Sequence, residues 1–227
     1  MIQQEVEKEL LKEAKRKMNN RDTYKLTSEF FLKSVAGGVL IGFGCIAFMM
    51  CDNKVVGSFL FSLGLLTVII TQSNLYTGKI GYAKAELRHW FLFLLPVLLI
   101  NLLSIGIIGV LFGNFSDLPI DTSALLANKY NESMMAALLR SFGCGVMMFI
   151  AVEGYKRISN PLIVIMPVMC FILCGFDHCI ANYGYMAMNN DFFCPQLIMW
   201  IIGNSIGSII LKFLTFNNVV SNSKDGG

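Results

Sequence analysis

The chain has 227 residues, 55% of them hydrophobic and 15% charged, with a mean hydropathy of +0.62. A soluble domain carries roughly 25% charged residues, so there is too little charge here to cover a water-facing surface, and lipid is the solvent for most of the chain. The net charge of +3 gives no footprint for nucleic acid, and the seven cysteines show no CxxC pair or zinc-type Cys/His spacing, so no metal or cofactor is implied and they read as small apolar packing residues.

The first 26 residues are polar. Ile2, Val6, Leu10, Leu11, Ala14 and Met18 recur at three- and four-residue spacing among Glu, Lys and Arg. This pattern predicts an amphipathic helix over 1–26, lying on the cytoplasmic membrane surface or capping an assembly. The charged start is unlike a cleavable signal peptide.

Six apolar segments follow, at 30–50, 55–85, 90–112, 134–155, 161–188 and 195–216. Each is long enough for a hydrocarbon core of about 30 Å, which takes about 20 helical residues. Segments two and five are longer and interrupted, at Thr71-Gln72-Ser73-Asn74 and at Gly175-Phe176-Asp177-His178. Polar residues at such depth are tolerated where they face protein or a water-filled path. The predicted domain therefore spans 27–216, with a short tail at 217–227.

Of the eighteen Lys and Arg, all but Lys54, Lys129 and Arg140 fall in the N-terminal stretch, the loops after segments two and four, or the C-terminal end. The positive-inside rule then places both termini in the cytoplasm of a multi-pass protein of the cytoplasmic membrane. The halves also match. Each has a plain, an interrupted and a plain segment, and each third segment carries an Asn followed three positions later by a small residue: Asn101 with Ser104, and Asn204 with Gly207. Such pairs let helices approach closely and supply amide hydrogen bonds. Three crossings per half predict an inverted 3+3 repeat, an all-α membrane fold of six transmembrane helices in which broken helices two and five mark the substrate path.

His178 is the candidate centre. An imidazole in a bilayer is expensive without partners, and intramembrane ionisable residues are functional by default; the competing reading is a histidine hydrogen-bonded for packing. Asn182, four residues on, would share its helical face. Asp177 would pin a backbone turn or a ring nitrogen, and Thr77, in the other interrupted segment, would orient the ring or contact an anion. Phe61, Leu65, Leu75 and Phe171 flank the breaks, either as ordinary packing residues or as apolar constrictions. No catalytic triad, carboxylate pair or phosphate loop is present in the sequence, so the chain is not expected to be an enzyme.

The segment-five run Gly175-Phe176-Asp177-His178, with Ala181-Asn182 after it, resembles the signature of the formate/nitrite transporter family, Gly-Phe-Glu-His followed by Ala-Asn. Leu75-Tyr76-Thr77 resembles that family's Leu-Phe-Thr, and the Asn101 and Asn204 motifs also match, so the likeness runs over 30–216. The resemblance implies an aquaporin-like fold and a homopentamer with one pore in each protomer. It implies passive or proton-coupled movement of a small monovalent anion such as formate, nitrite or hydrosulfide. By position, His178 becomes the pore-centre histidine that protonates or polarises the anion, with Thr77 its partner. Phe61, Leu65, Leu75 and Phe171 become constriction residues, and Lys129 a vestibule residue that attracts anions. Departures cluster near the pore: Asp177 for Glu, Asn74 for an acid, Gln72 and Ser73 for small residues, Lys79 just past Thr77, and Gly145 where some members carry Asn. A neutral-solute channel of aquaporin type, though without Asn-Pro-Ala boxes, and a non-transporting membrane scaffold are the competing functions.

Overall fold

The computed structural model describes residues 27–216, which contain helices and no strands. The helix expected over 1–26 and the tail 217–227 lie outside the described residues. Helix α1 spans Ser28–Met49, started by Thr27, whose hydroxyl accepts the Phe30 N–H. Helix α2 spans Lys54–Ile70, capped by the Asn53 side chain accepting from Val55 and Val56 N–H. These caps satisfy donors that a helix start leaves unpaired. After a non-helical stretch come α3 (Tyr76–Lys79), a 3-10 turn at Ile80–Tyr82, and α4 (Leu87–Phe115). A π-helical turn at Trp90–Leu94 precedes Pro96, where the absent N–H weakens the ordinary helical ladder.

Helix α5 (Ser123–Tyr130) lies in the connection to α6 (Met134–Ile158), which is capped by Ser133. Helix α7 (Leu162–Leu173) is followed by a second non-helical stretch, then α8 (Cys179–Met188) and α9 (Gln196–Phe216). Among the described residues, α1, α4, α6 and α9 are long and apolar enough to cross a membrane. Helices α2 and α7, at 17 and 12 residues, each stop short of the length one helix needs.

Helix α1 packs against α2 and α4, and α6 against α7 and α9. Contacts of α2 with α7 and of α4 with α8 join the two groups. Phe31, Leu32, Leu99, Leu103, Leu139 and Phe213 point outward, while Ser34, Ser58, Asn101, Ser141, Asn204 and Ser208 are sealed inside. Large apolar side chains outside and small polar ones inside suit a lipid solvent, where helices associate through small residues and interhelical hydrogen bonds.

Gly145 is one such close approach. A Cβ there would sit 2.3 Å from the Asn204 carbonyl oxygen, while its own carbonyl accepts the Ser208 hydroxyl at 2.8 Å. The α6–α9 contact leaves no room for an Asn at this position, which accounts for the departure seen in the sequence.

Candidate functional site

The two non-helical stretches, 71–75 and 174–178, are built alike. The second residue of each is left-handed, Gln72 at φ 54° and Gly175 at φ 71°. Glycine adopts that conformation freely and glutamine only under strain. The last residue of each is extended and starts the next helix: Leu75 at φ −112°, ψ 127° and His178 at φ −95°, ψ 112°.

An interrupted helix leaves backbone groups that hydrocarbon cannot satisfy. Two fully buried asparagines satisfy them. The Asn101 side chain accepts the Tyr76 N–H at 2.8 Å and donates to the Ser34 and Asn74 carbonyls at 2.7 and 2.9 Å. The Asn204 side chain accepts the Cys179 N–H at 2.9 Å and donates to the Ser141 and Asp177 carbonyls, both at 2.8 Å. One acceptor and two donors fit each amide in one orientation. The His178 ring bonds to Thr77 and Ala181 rather than to either asparagine; each asparagine holds the break on which a site residue stands.

His178 is 2% exposed. Its Nε2 lies 2.9 Å from the Thr77 hydroxyl. Its Nδ1 accepts the Ala181 N–H at 3.1 Å, capping α8. An Nδ1 that accepts has no proton, so the neutral ring carries it on Nε2 and donates to Thr77. The Thr77 hydroxyl hydrogen is thereby left for another acceptor. A ring protonated on both nitrogens would lose the Ala181 bond and face an N–H instead. Phe171 stacks on the imidazole at 5.9 Å and 18°, and Phe61 meets Phe171 edge-on at 6.1 Å. Thr77, His178, Phe171 and Phe61 are thus in mutual sequence of contact. Leu65 and Leu75, 1% and 0% exposed, bound a cavity on the side of the α6–α7 connection.

Asp177 turns away from the imidazole, whose two nitrogens are already engaged by Thr77 and Ala181. Its fully buried carboxylate pairs with the Lys129 ammonium and accepts from Asn182 at 2.9 Å. Asn182 therefore serves Asp177; only its backbone N–H reaches His178, at the carbonyl, 2.8 Å away. Lys129 also lies 5.9 Å from the Trp200 ring centre. A residue that patterning missed completes this cluster. The Glu132 side chain, 3% exposed, accepts from Trp200 Nε1 and from Arg140, both at 3.0 Å. Burial raises the Glu132 carboxyl above its ordinary range, and the Trp200 bond opposes this. In sequence its only signal was an acid between Lys129 and Arg140. Two cations thus face two carboxylates, and the charge of Lys129 is compensated. Among the described residues no group of His, Cys, Asp and Glu could hold a metal ion.

A family model described as "Formate/nitrite transporter" matches residues 4–218. The formate channel FocA of Haemophilus influenzae is 25% identical over 200 residues, 74% of this chain and 70% of that protein. The formate channel FocB of Escherichia coli is 24% identical over 179 residues, 67% of this chain and 63% of its own length. Two solved structures share the fold at 20% identity: a pentameric formate channel with formate bound (TM-score 0.69; 85% of this chain and 97% of that one) and an FNT family ion channel (TM-score 0.68; 86% and 90%).

Proposed function

The chain belongs to the formate/nitrite transporter family, a family of transporters rather than enzymes, and from that premise we propose that it moves a small monovalent weak-acid anion, of the formate, nitrite or hydrosulfide class, across the cytoplasmic membrane. The pore runs through each protomer of a homopentamer. Residues 27–216 form the pore domain, and 1–26 and 217–227 lie on the cytoplasmic side with both termini. The chain crosses six times as an inverted 3+3 repeat, α2–α3 and α7–α8 being the broken members. The matched asparagine brackets support this: the same bonds recur at 101 and 204, 74 and 177, 76 and 179, a constant displacement.

The observation that carries the mechanism is the Thr77–His178 contact between the two breaks. A bare anion crosses apolar layers only at great cost. The layers here are the Phe61–Phe171 pair and the Leu65–Leu75 pair. Between them, the His178 Nε2–H donates to Thr77, and the Thr77 hydroxyl donates to the anion. Two donors in series polarise one another. Of the two roles open to His178, this favours polarising over proton donation, because a neutral ring that gave up its Nε2 proton would become an imidazolate. Desolvation favours the neutral form of the substrate acid, so the anion takes a proton from water and crosses as the acid. One anion and one proton then move together, and His178 is unchanged. Asn101, Asn204 and the Asp177–Asn182–Lys129 cluster hold the breaks in register. Lys129 also stands on the outer side, where anions arrive.

The test is flux in proteoliposomes loaded with formate, nitrite, hydrosulfide or acetate over a range of pH, with native mass measured in mild detergent. The proposal expects flux of at least one of these, rising as pH falls, and a pentameric mass. Water permeability without anion flux, or a monomer with no flux, overturns it.

A further inference from the structure

Lys79 has no place in this mechanism. It ends α3, two residues past Thr77, and its backbone N–H bonds to the Leu75 carbonyl at 3.0 Å. Among the described residues its ammonium has no hydrogen-bond or ion-pair partner. It lines a cavity of about 390 Å³ together with Lys156, Gln72 and Ser73, bounded by Leu65 and Leu75. Among the described residues no carboxylate lines that cavity. Glu153, next in sequence to the lining residue Val152, is held by the Tyr82 hydroxyl at 2.5 Å and by Arg157 at 2.9 Å. Lys156 sits 3.6 Å over the Tyr82 ring, with Lys212 on the same ring at 5.6 Å.

The two sides of the site therefore differ in charge. Around Lys129, two cations meet two carboxylates. Around Lys79, two ammonium groups meet amide, hydroxyl and apolar surface, and the one carboxylate beside Lys156, Glu153, is paired with Arg157. A cleft of one sign with low-dielectric walls concentrates the opposite ion. At roughly 30 Å³ for each water, the cavity holds a small anion with about ten waters. The anion keeps its hydration shell there, and dehydration begins at the leucine pair.

We propose that Lys79, with Lys156 beside it, forms a binding station for a small hydrated monovalent anion on the inner side of the Leu65–Leu75 constriction, and that it loads the pore from that side. This rests on the transport reading above, and it adds sidedness to it. The station takes the ionised form, a carboxylate or small oxyanion, before the proton is acquired deeper in the pore.

Formate is the probe. In vesicles of defined orientation, Lys79→Met should raise the apparent KM for formate entering from the inner face by about five- to tenfold, the effect of one unit charge near a protein surface. The KM from the outer face should stay within about twofold. Lys79→Arg, which keeps the charge, should behave as wild type, and equal elution volumes of the variants establish intact assembly. An unchanged inner-face KM in Lys79→Met, or equal shifts from both faces, overturns the proposal. If wild type carries no formate at all, the transport reading fails, and the station is judged by binding alone. Line broadening of 13C-formate by the detergent-solubilised protein should then fall in Lys79→Met and persist in Lys79→Arg, and equal broadening in both overturns it.

Discussion

Lys129→Met removes the charged partner of a carboxylate that has no contact with solvent. In the wild type, Asp177 Oδ1 accepts from both Lys129 and Asn182, while Oδ2 has no hydrogen-bond partner among the described residues. After the substitution one neutral amide bond remains for the whole carboxylate. Breaking a buried ion pair from one side costs about 3–5 kcal/mol. In a chain of this size each kcal/mol moves Tm by about 2–4 °C, so a loss of about 10 °C is expected. Trp200, against Lys129 and bonded to Glu132, makes intrinsic fluorescence a local reporter of the melt. The double variant Lys129→Met/Asp177→Asn removes both charges and should recover at least half of the loss, because the orphaned carboxylate is gone. A shift below about 2 °C for Lys129→Met, or strictly additive single losses, would refute the view that these two residues act as one buried pair.

Asn204→Leu orphans two carbonyls and one N–H, at about 1–3 kcal/mol each; the protein should fail to assemble, as judged by elution from a sizing column, and Asn101→Leu should do the same. Gly145→Ala drives a methyl into the α9 backbone and should lower Tm by an amount matching an overpacking cost of about 1–3 kcal/mol. Gly175→Ala meets no neighbouring atom, so its expected cost of about 1–2 kcal/mol comes from the left-handed backbone alone; a neutral result by thermal melting would remove that strain from the account.

Much of the frame was visible in the sequence because polar residues stand out against apolar runs. Thr71-Gln72-Ser73-Asn74 and Gly175-Phe176-Asp177-His178 were conspicuous for that reason, and α2 and α7 end at Ile70 and Leu173, just before them. Asn101 and Asn204 were visible as a repeated motif, although what they hold was not, since their partners lie in three different elements. The partner of Asp177 was hidden for the same reason. Proximity in sequence suggested the neighbouring imidazole, whereas the carboxylate turns to Lys129, which sits in a connecting helix. Glu132 was hidden because an acid in a loop ordinarily faces water. Gln72 gave no turn signal, because glutamine is a poor left-handed residue; the Asn101 bracket holding the end of that break makes the conformation tolerable.

In the proposed function the Thr77–His178 pair handles the permeating anion through a neutral, donating imidazole. Formate flux into proteoliposomes, compared between wild type, His178→Asn and His178→Leu at equal assembly, tests it most directly. At least a tenfold loss of flux is expected in His178→Leu, which has no donor, and a smaller loss in His178→Asn, whose amide can still donate. Equal flux in wild type and His178→Leu would contradict it.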